Sequence, residues 1–131
     1  MIAPPVLTLH LFVAGQLRSR LNGSGSRAHW SRISRDARAW HELTHVAWLM
    51  AGKPTWDGPA VVTFTAYVGR LWDTDNLPAS IKNIRDAAVK LILGTDDGPR
   101  CGHVFFYNQE VRPMGERGVL VTVVPLERRG A

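Results

Sequence analysis

The sequence predicts a mixed α+β domain, with about four strands in a mixed sheet and two helices, in the order β-α-β-α-β-β. Four stretches follow the two-residue period of a strand. Two longer stretches carry apolar residues at helical spacing. Gly- and Pro-rich punctuation separates them, at Gly52, Pro54, Gly58-Pro59, Gly94, Gly98-Pro99 and Pro113. Strands and helices interleaved in this way make a sheet with helices packed on it, although the pattern does not encode the strand order. With 131 residues, 45% hydrophobic and 21% charged, the chain suits one folded domain, residues 1–131, and excludes a disordered chain.

The first strand is expected over Val6–Val13, where Leu7, Leu9, Leu11 and Val13 alternate with Val6, Thr8, His10 and Phe12. This run is short, is interrupted by Thr8 and His10, and has no basic residue before it, so it reads as a strand rather than a secretion signal. No stretch reaches membrane-spanning length. Residues Gly15–Arg27 read as a basic loop rich in Gly, Ser and Arg. A helix is expected from about Ser31 to Met50, with Ile33, Ala37, Trp40, Thr44, Ala47 and Ala51 on one stripe flanked by Trp30 and Trp48. Gly52 and Pro54 end it.

The second strand covers Val61–Val68 and leads into Asp73. The second helix is expected over Leu77–Leu93, with Leu77, Ile81, Ile84, Ala88 and Leu91 as its buried stripe. Asn76 suits a cap, Pro78 is tolerated in a first turn, and Gly94 is a natural stop. Strands at Val104–Val111 and Val119–Val124 follow, joined through Pro113–Gly118 as an expected antiparallel hairpin.

The net charge is +5 and the pI about 10.1, which favours an anionic partner. Only Lys53, Lys82 and Lys90 among the 16 cations are lysines, and an arginine-rich genome alone would produce such a bias. The distribution is more telling. Arg18, Arg20, Arg27, Arg32 and Arg35 precede the first acid, whereas Asp73, Asp75, Asp86, Asp96 and Asp97 crowd one later stretch. Arginines neutralise phosphates and bunched carboxylates hold a divalent cation, so a basic flank around an acidic group suits phosphodiester chemistry. The single cysteine, Cys101, permits no internal disulfide and fits a reducing cytoplasm.

Asp73 and Asp75 are two apart at a strand end, where extended chain points both side chains the same way. They could share Mg²⁺, which takes oxygen ligands and usually only one or two protein carboxylates beside water and phosphate. Lys82 and Asp86 are four apart, on one helix face away from the apolar stripe. Taken singly, each feature is an ordinary loop acid, helix cap, surface ion pair or Asp-Asp-Gly-Pro turn. Their order around one amphipathic helix is the specific signal.

This stretch resembles the RusA family of Holliday junction resolvases and its RusA-like phage relatives. The resemblance rests on D-T-D-N-L from Asp73, K-N-I-R-D from Lys82, G-T-D-D-G through Asp96-Asp97, and the strand H-V-F-F-Y-N-Q-E from His103 to Glu110. It is weaker at the front, around R-L-N and the helix starting near His29-Trp30. It implies a homodimeric, Mg²⁺-dependent endodeoxyribonuclease of DNA recombination and repair, with Mn²⁺ a possible substitute. Such an enzyme nicks four-way junctions or related branched DNA and leaves 5′-phosphate and 3′-hydroxyl ends in a bacterial or phage-infected cell.

By the same resemblance, Asp73, Asp75 and Asp97 are the metal-holding acids and Lys82 the essential lysine; Asn76, Asp86 and Asp96 stand beside them as candidate supporting residues. Arg18, Arg20, Arg27 and Arg32 would follow the DNA arms, and Trp72, beside the acids, would contact DNA. The interval from Asp75 to Lys82 is three residues longer than in the founding resolvase, close to one helical turn. D-N-L-x-x-S-x-K is similar to the spacing in phage relatives, with Ser80 at the serine position.

A helix over Leu77–Leu93 spans about 25 Å at 1.5 Å per residue, and a three-residue loop recovers only about 10 Å. If the three acids meet at one metal, the simple solution pairs Asp73 and Asp75 of one subunit with Asp97 of its twofold mate. A kinked or shorter helix would allow a site within one chain.

One competing motif is present. His41-Glu42-Leu43-Thr44-His45 matches the H-E-x-x-H pattern of zinc metalloproteases on a predicted helix. Both histidines fall at the margin of the apolar stripe, with Arg38 between that margin and the polar face, and no Glu follows until Glu110, leaving Asp57, Asp73 or His103 as a third ligand. A non-catalytic DNA-binding protein of the same fold is the remaining alternative.

Overall fold

The computed structural model describes residues 9–15, 27–72, 76–94 and 102–126, with the backbone alone over 27–34. Strand β1 (Leu9–Ala14) precedes helix α1 (Arg27–Met50), strand β2 (Ala60–Val68) and helix α2 (Asn76–Ala88). A π-helical turn, Val89–Leu93, extends α2, and strand β3 (Val104–Val111), a 3-10 turn at Met114–Glu116 and strand β4 (Gly118–Pro125) follow. The described residues therefore form the expected α+β arrangement, with four strands in one mixed sheet and two helices. The first helix starts four residues earlier than its apolar stripe suggested, so Arg27 belongs to it rather than to the preceding loop.

The sheet order is β1-β4-β2-β3. Strand β4 runs antiparallel to both β1 and β2, whereas β2 and β3 are parallel. The expected hairpin between β3 and β4 does not form, because β2 lies between them. Burial explains the order. Every second residue of β2 is buried, as are Val119, Val121 and Val123 of β4, so these two strands take the centre. The inner positions of β3 are only half-buried, and its outer ones include Asn108 and Glu110, which suits an edge. The link from β3 to β4 crosses the end of β2, where the Arg112 N–H donates to the Val68 carbonyl and Tyr67 faces Gly118.

One face of the sheet packs against the helices. Val62, Phe64 and Ala66 of β2 join Leu11 and Val13 of β1 and the three valines of β4 in a core shared with α2. Each fully buried side chain of this size contributes about 1.5–3 kcal/mol. Trp40, Ala47 and Trp48 of α1 pack on the same core. Thr44 is fully buried among them, its hydroxyl donating to the Trp40 carbonyl at 2.7 Å. Helix α1 closes with paired bonds from the Gly52 N–H to Leu49 and the Lys53 N–H to Trp48, and Gly52 supplies the positive φ (91°) this ending requires.

The α2 stripe departs from the expected spacing in one place. Leu77, Ile81, Ile84 and Ala88 are buried as predicted, but beyond Ala88 the buried residues are Val89 and Ile92, and Leu91 is only half-buried. Bonds in a π turn reach one residue further than in an α-helix, and that extra residue shifts the stripe. Gly94 stops the helix in the left-handed conformation (φ 68°, ψ 14°), as expected. Asn76 is the first residue of the helix rather than a residue ahead of it.

Candidate functional site

Strand β2 delivers the chain to Trp72, and α2 takes it up again at Asn76. Both residues are anchored. Trp72 is half-buried against the core, and part of it remains open to solvent. The Gln109 side chain grips its main chain: Oε1 accepts from the Trp72 N–H and Nε2 donates to the Trp72 carbonyl, both at 2.8 Å. Asn76 is 9% exposed, and its Oδ1 accepts from the buried Ser80 hydroxyl at 3.3 Å. These anchors bracket Asp73-Thr74-Asp75, which lie outside the described residues, as do Asp96, Asp97, Arg18 and Arg20. Arg27 and Arg32 are backbone positions in the first turns of α1.

Lys82 projects from α2 on the face opposite the buried stripe, its side chain 49% exposed. Its Nζ lies 2.9 Å from Asp86 Oδ2, so these two residues meet as their spacing predicts. One helical turn from Lys82, Arg85 turns toward the sheet and donates through Nη1 to the Tyr107 hydroxyl of β3.

Because β2 and β3 are parallel, α2 carries the chain from one end of the sheet to the other. Val61 pairs with Val104 and Val68 with Val111, so the exit from β2 and the entry to β3 are separated by about 23 Å of strand. At the entry end, His103 Nδ1 accepts the Ala60 N–H at 3.1 Å. At the exit end, the Trp72–Gln109 pairing closes the edge.

The exit end also gathers arginines that sequence reading missed. Arg70 is exposed just before Trp72. The Arg117 guanidinium occupies the space a Gly69 side chain would need, 2.7 Å from where a Cβ would stand, and its Nε donates to the Arg112 carbonyl. Arg112 lies over the Tyr67 ring, 4.7 Å from its centroid, and reaches Glu110 and Glu116 at 3.4 Å each. These residues come from two segments, the one after β2 and the link from β3 to β4, so no single linear motif exposes them. Gln109 did leave a signal, being a polar side chain at an inward strand position after Phe105 and Tyr107.

The competing zinc motif is placed differently. His41, Glu42 and His45 are all exposed, and the His45 ring stacks on Trp48 with centroids 5.9 Å apart. Among the described residues no group of three or more His, Cys, Asp or Glu could hold a metal ion. Nor, among them, is any helix long and apolar enough to cross a membrane. No protein-family model and no curated protein matches the chain.

Proposed function

We propose that the chain is a Mg²⁺-dependent, structure-specific endodeoxyribonuclease that acts as a homodimer on four-way junctions or related branched DNA, leaving 5′-phosphate and 3′-hydroxyl ends. The observation that carries this reading is the placement of Lys82. It faces solvent on a helix that begins directly after Asp73-Thr74-Asp75 in sequence, and the neighbouring residues Trp72 and Asn76 are hydrogen-bonded to Gln109 and Ser80.

The donor set suits the ion. Asp73, Asp75 and Asp97 offer oxygen ligands only, as Mg²⁺ requires, and Mn²⁺ would substitute. When bound, the ion supplies an activated water and offsets charge on the scissile phosphate. The Lys82 ammonium adds a fixed positive charge for that phosphate. Arg70 and Arg117 take neighbouring phosphates, beside Arg18, Arg20, Arg27 and Arg32. Asp86 holds Lys82 across one helical turn, and Asn76 and Asp96 flank the acids.

The sheet topology favours a site shared between subunits. The segments carrying Asp73-x-Asp75 and Asp97 leave opposite ends of the uninterrupted helix Asn76–Leu93. A twofold mate running the other way would set the second segment beside the first.

The test is nicking of synthetic four-way junctions, compared with linear duplex, with and without Mg²⁺. Mg²⁺-dependent nicks on the junction are expected, and Asp75→Asn should abolish them while junction binding persists or tightens. Absence of nicking by the native chain, or undiminished nicking by Asp75→Asn, would remove the proposal.

A further inference from the structure

Strand β3 forms one edge of the sheet, and among the described residues no strand pairs with its outer side. Sheet edges are ordinarily blunted by shortness, a bulge, proline or lysine, because unpaired N–H and C=O groups recruit other chains. This edge has none of these. It runs for eight residues, Val-Phe-Phe-Tyr-Asn-Gln-Glu-Val, in unbroken register with β2. Val104, Phe106 and Val111 on it are exposed, and the carboxylate of Glu110 is met by Arg112 at 3.4 Å. The opposite edge, β1, is shorter at six residues and ends at Gly15, close against Trp40 of α1.

The direction of the free groups follows from the ladder. The Arg112 N–H donates to the Val68 carbonyl, so Arg112 and, by alternation, Glu110, Asn108 and Phe106 turn their main-chain groups toward β2. Phe105, Tyr107, Gln109 and Val111 turn theirs to the open side. A twofold axis through Asn108, perpendicular to the sheet, would pair Phe105 with Val111 and Tyr107 with Gln109 of a second copy. No other antiparallel register satisfies all four within the strand. This one sets Asn108 against its own copy, where two amides can donate and accept reciprocally. It also sets Phe106 against Glu110, so that the two copies of Glu110 never stand opposite each other.

We propose that β3 is the surface through which two copies of this chain associate, antiparallel and centred on Asn108, joining their sheets into one. This rests on reading the chain as a homodimer and on none of the proposed metal chemistry. The pairing lays the exit end of β2 in one copy beside the entry end of β3 in the other.

Sedimentation equilibrium of the full chain should give twice the 14.5 kDa of one copy. Asn108 is exposed, so Asn108→Lys and Asn108→Asp should each keep the native ellipticity and melting temperature. Each places like charges across the axis and should raise the dimer dissociation constant at least about tenfold. Mixed in equal amounts, the two variants should reassociate, with native mass spectrometry showing one chain of each kind. Leu43→Lys, at an exposed apolar position of α1, should stay dimeric. A native mass of one chain overturns the proposal together with the homodimer, leaves the edge to a strand from a different protein, and does not touch the nicking assay. A dimer that survives both Asn108 substitutions places the interface elsewhere and overturns the edge pairing alone. Failure of the mixture to reassociate, or a fall in mass seen only where ellipticity also falls, overturns it as well.

Discussion

Replacing Lys82 with Met separates the chemistry of this side chain from its part in the fold. The ammonium lies 2.9 Å from Asp86, but the two side chains are 49% and 31% exposed, so water screens most of their attraction. Exposed pairs four apart on a helix are worth about 0.3–0.5 kcal/mol. The order here, cation before anion, is the less favourable one against the helix dipole. Met preserves helix propensity and the aliphatic stem. Lys82→Met should therefore cost no more than about 0.5 kcal/mol and lower the melting temperature by about 2 °C. Loss of a charge aimed at a transition state costs about 2.7–4 kcal/mol, a hundredfold or more in rate. The assay pairs thermal melting, followed by circular dichroism, with single-turnover nicking at saturating Mg²⁺. A cycle with Asp86→Asn, measured on stability alone, should return a coupling below about 0.5 kcal/mol. Nicking at native speed would strip Lys82 of a chemical role. A drop in melting temperature of 10 °C or so would mean the lysine holds the fold, and the reasoning from its exposure would fail.

Gly118→Ala should destabilise the chain by about 2 kcal/mol, because the new methyl would stand 2.5 Å from the Val13 carbonyl oxygen and 2.6 Å from the Phe12 ring. A lower urea midpoint with an unchanged slope is the expected reading. Thr44→Val removes the bond to the Trp40 carbonyl but keeps the buried volume, and should cost below about 1 kcal/mol in the same titration. Mixing inactive Asp73→Asn and Asp97→Asn chains, with subunit exchange allowed, should restore part of the junction nicking. Persistent inactivity of the mixture would place all three acids of each site within one chain.

Much of the fold was legible because burial and periodicity agree. The alternation in β2 and the four-three-four spacing in α2 each bury the side chains they single out. The failures share a cause, which is that partners far along the chain decide the outcome. Nothing in Val104–Val111 and Val119–Val124 says that β2 will come between them. Their competition for the central places is settled by which strands bury most completely. Leu91 and Ile92 are equally apolar, and only the π turn chooses between them. In the candidate site, Lys82 and Asp86 could be paired from their interval because both ride on one helix. The Gln109 grip on Trp72 could not, because it joins two strands' ends. The arginines at positions 70, 112 and 117 converge only once β4 folds back over β2.

The π turn at Val89–Leu93 also has a bearing on how this chain tolerates change in length. An α-helix rotates 100° per residue, so one residue gained or lost before Ala88 would swing Lys82 away from its present heading relative to Leu77 or Ile84. The wider turn already absorbs a surplus residue while keeping Ile92 seated. Losing that residue would tighten the turn back to ordinary helix. Slack of this kind, confined to the last turn before Gly94, lets the sequence beyond it gain or lose one residue while the buried face of α2 stays locked to the sheet and Lys82 keeps its heading toward solvent.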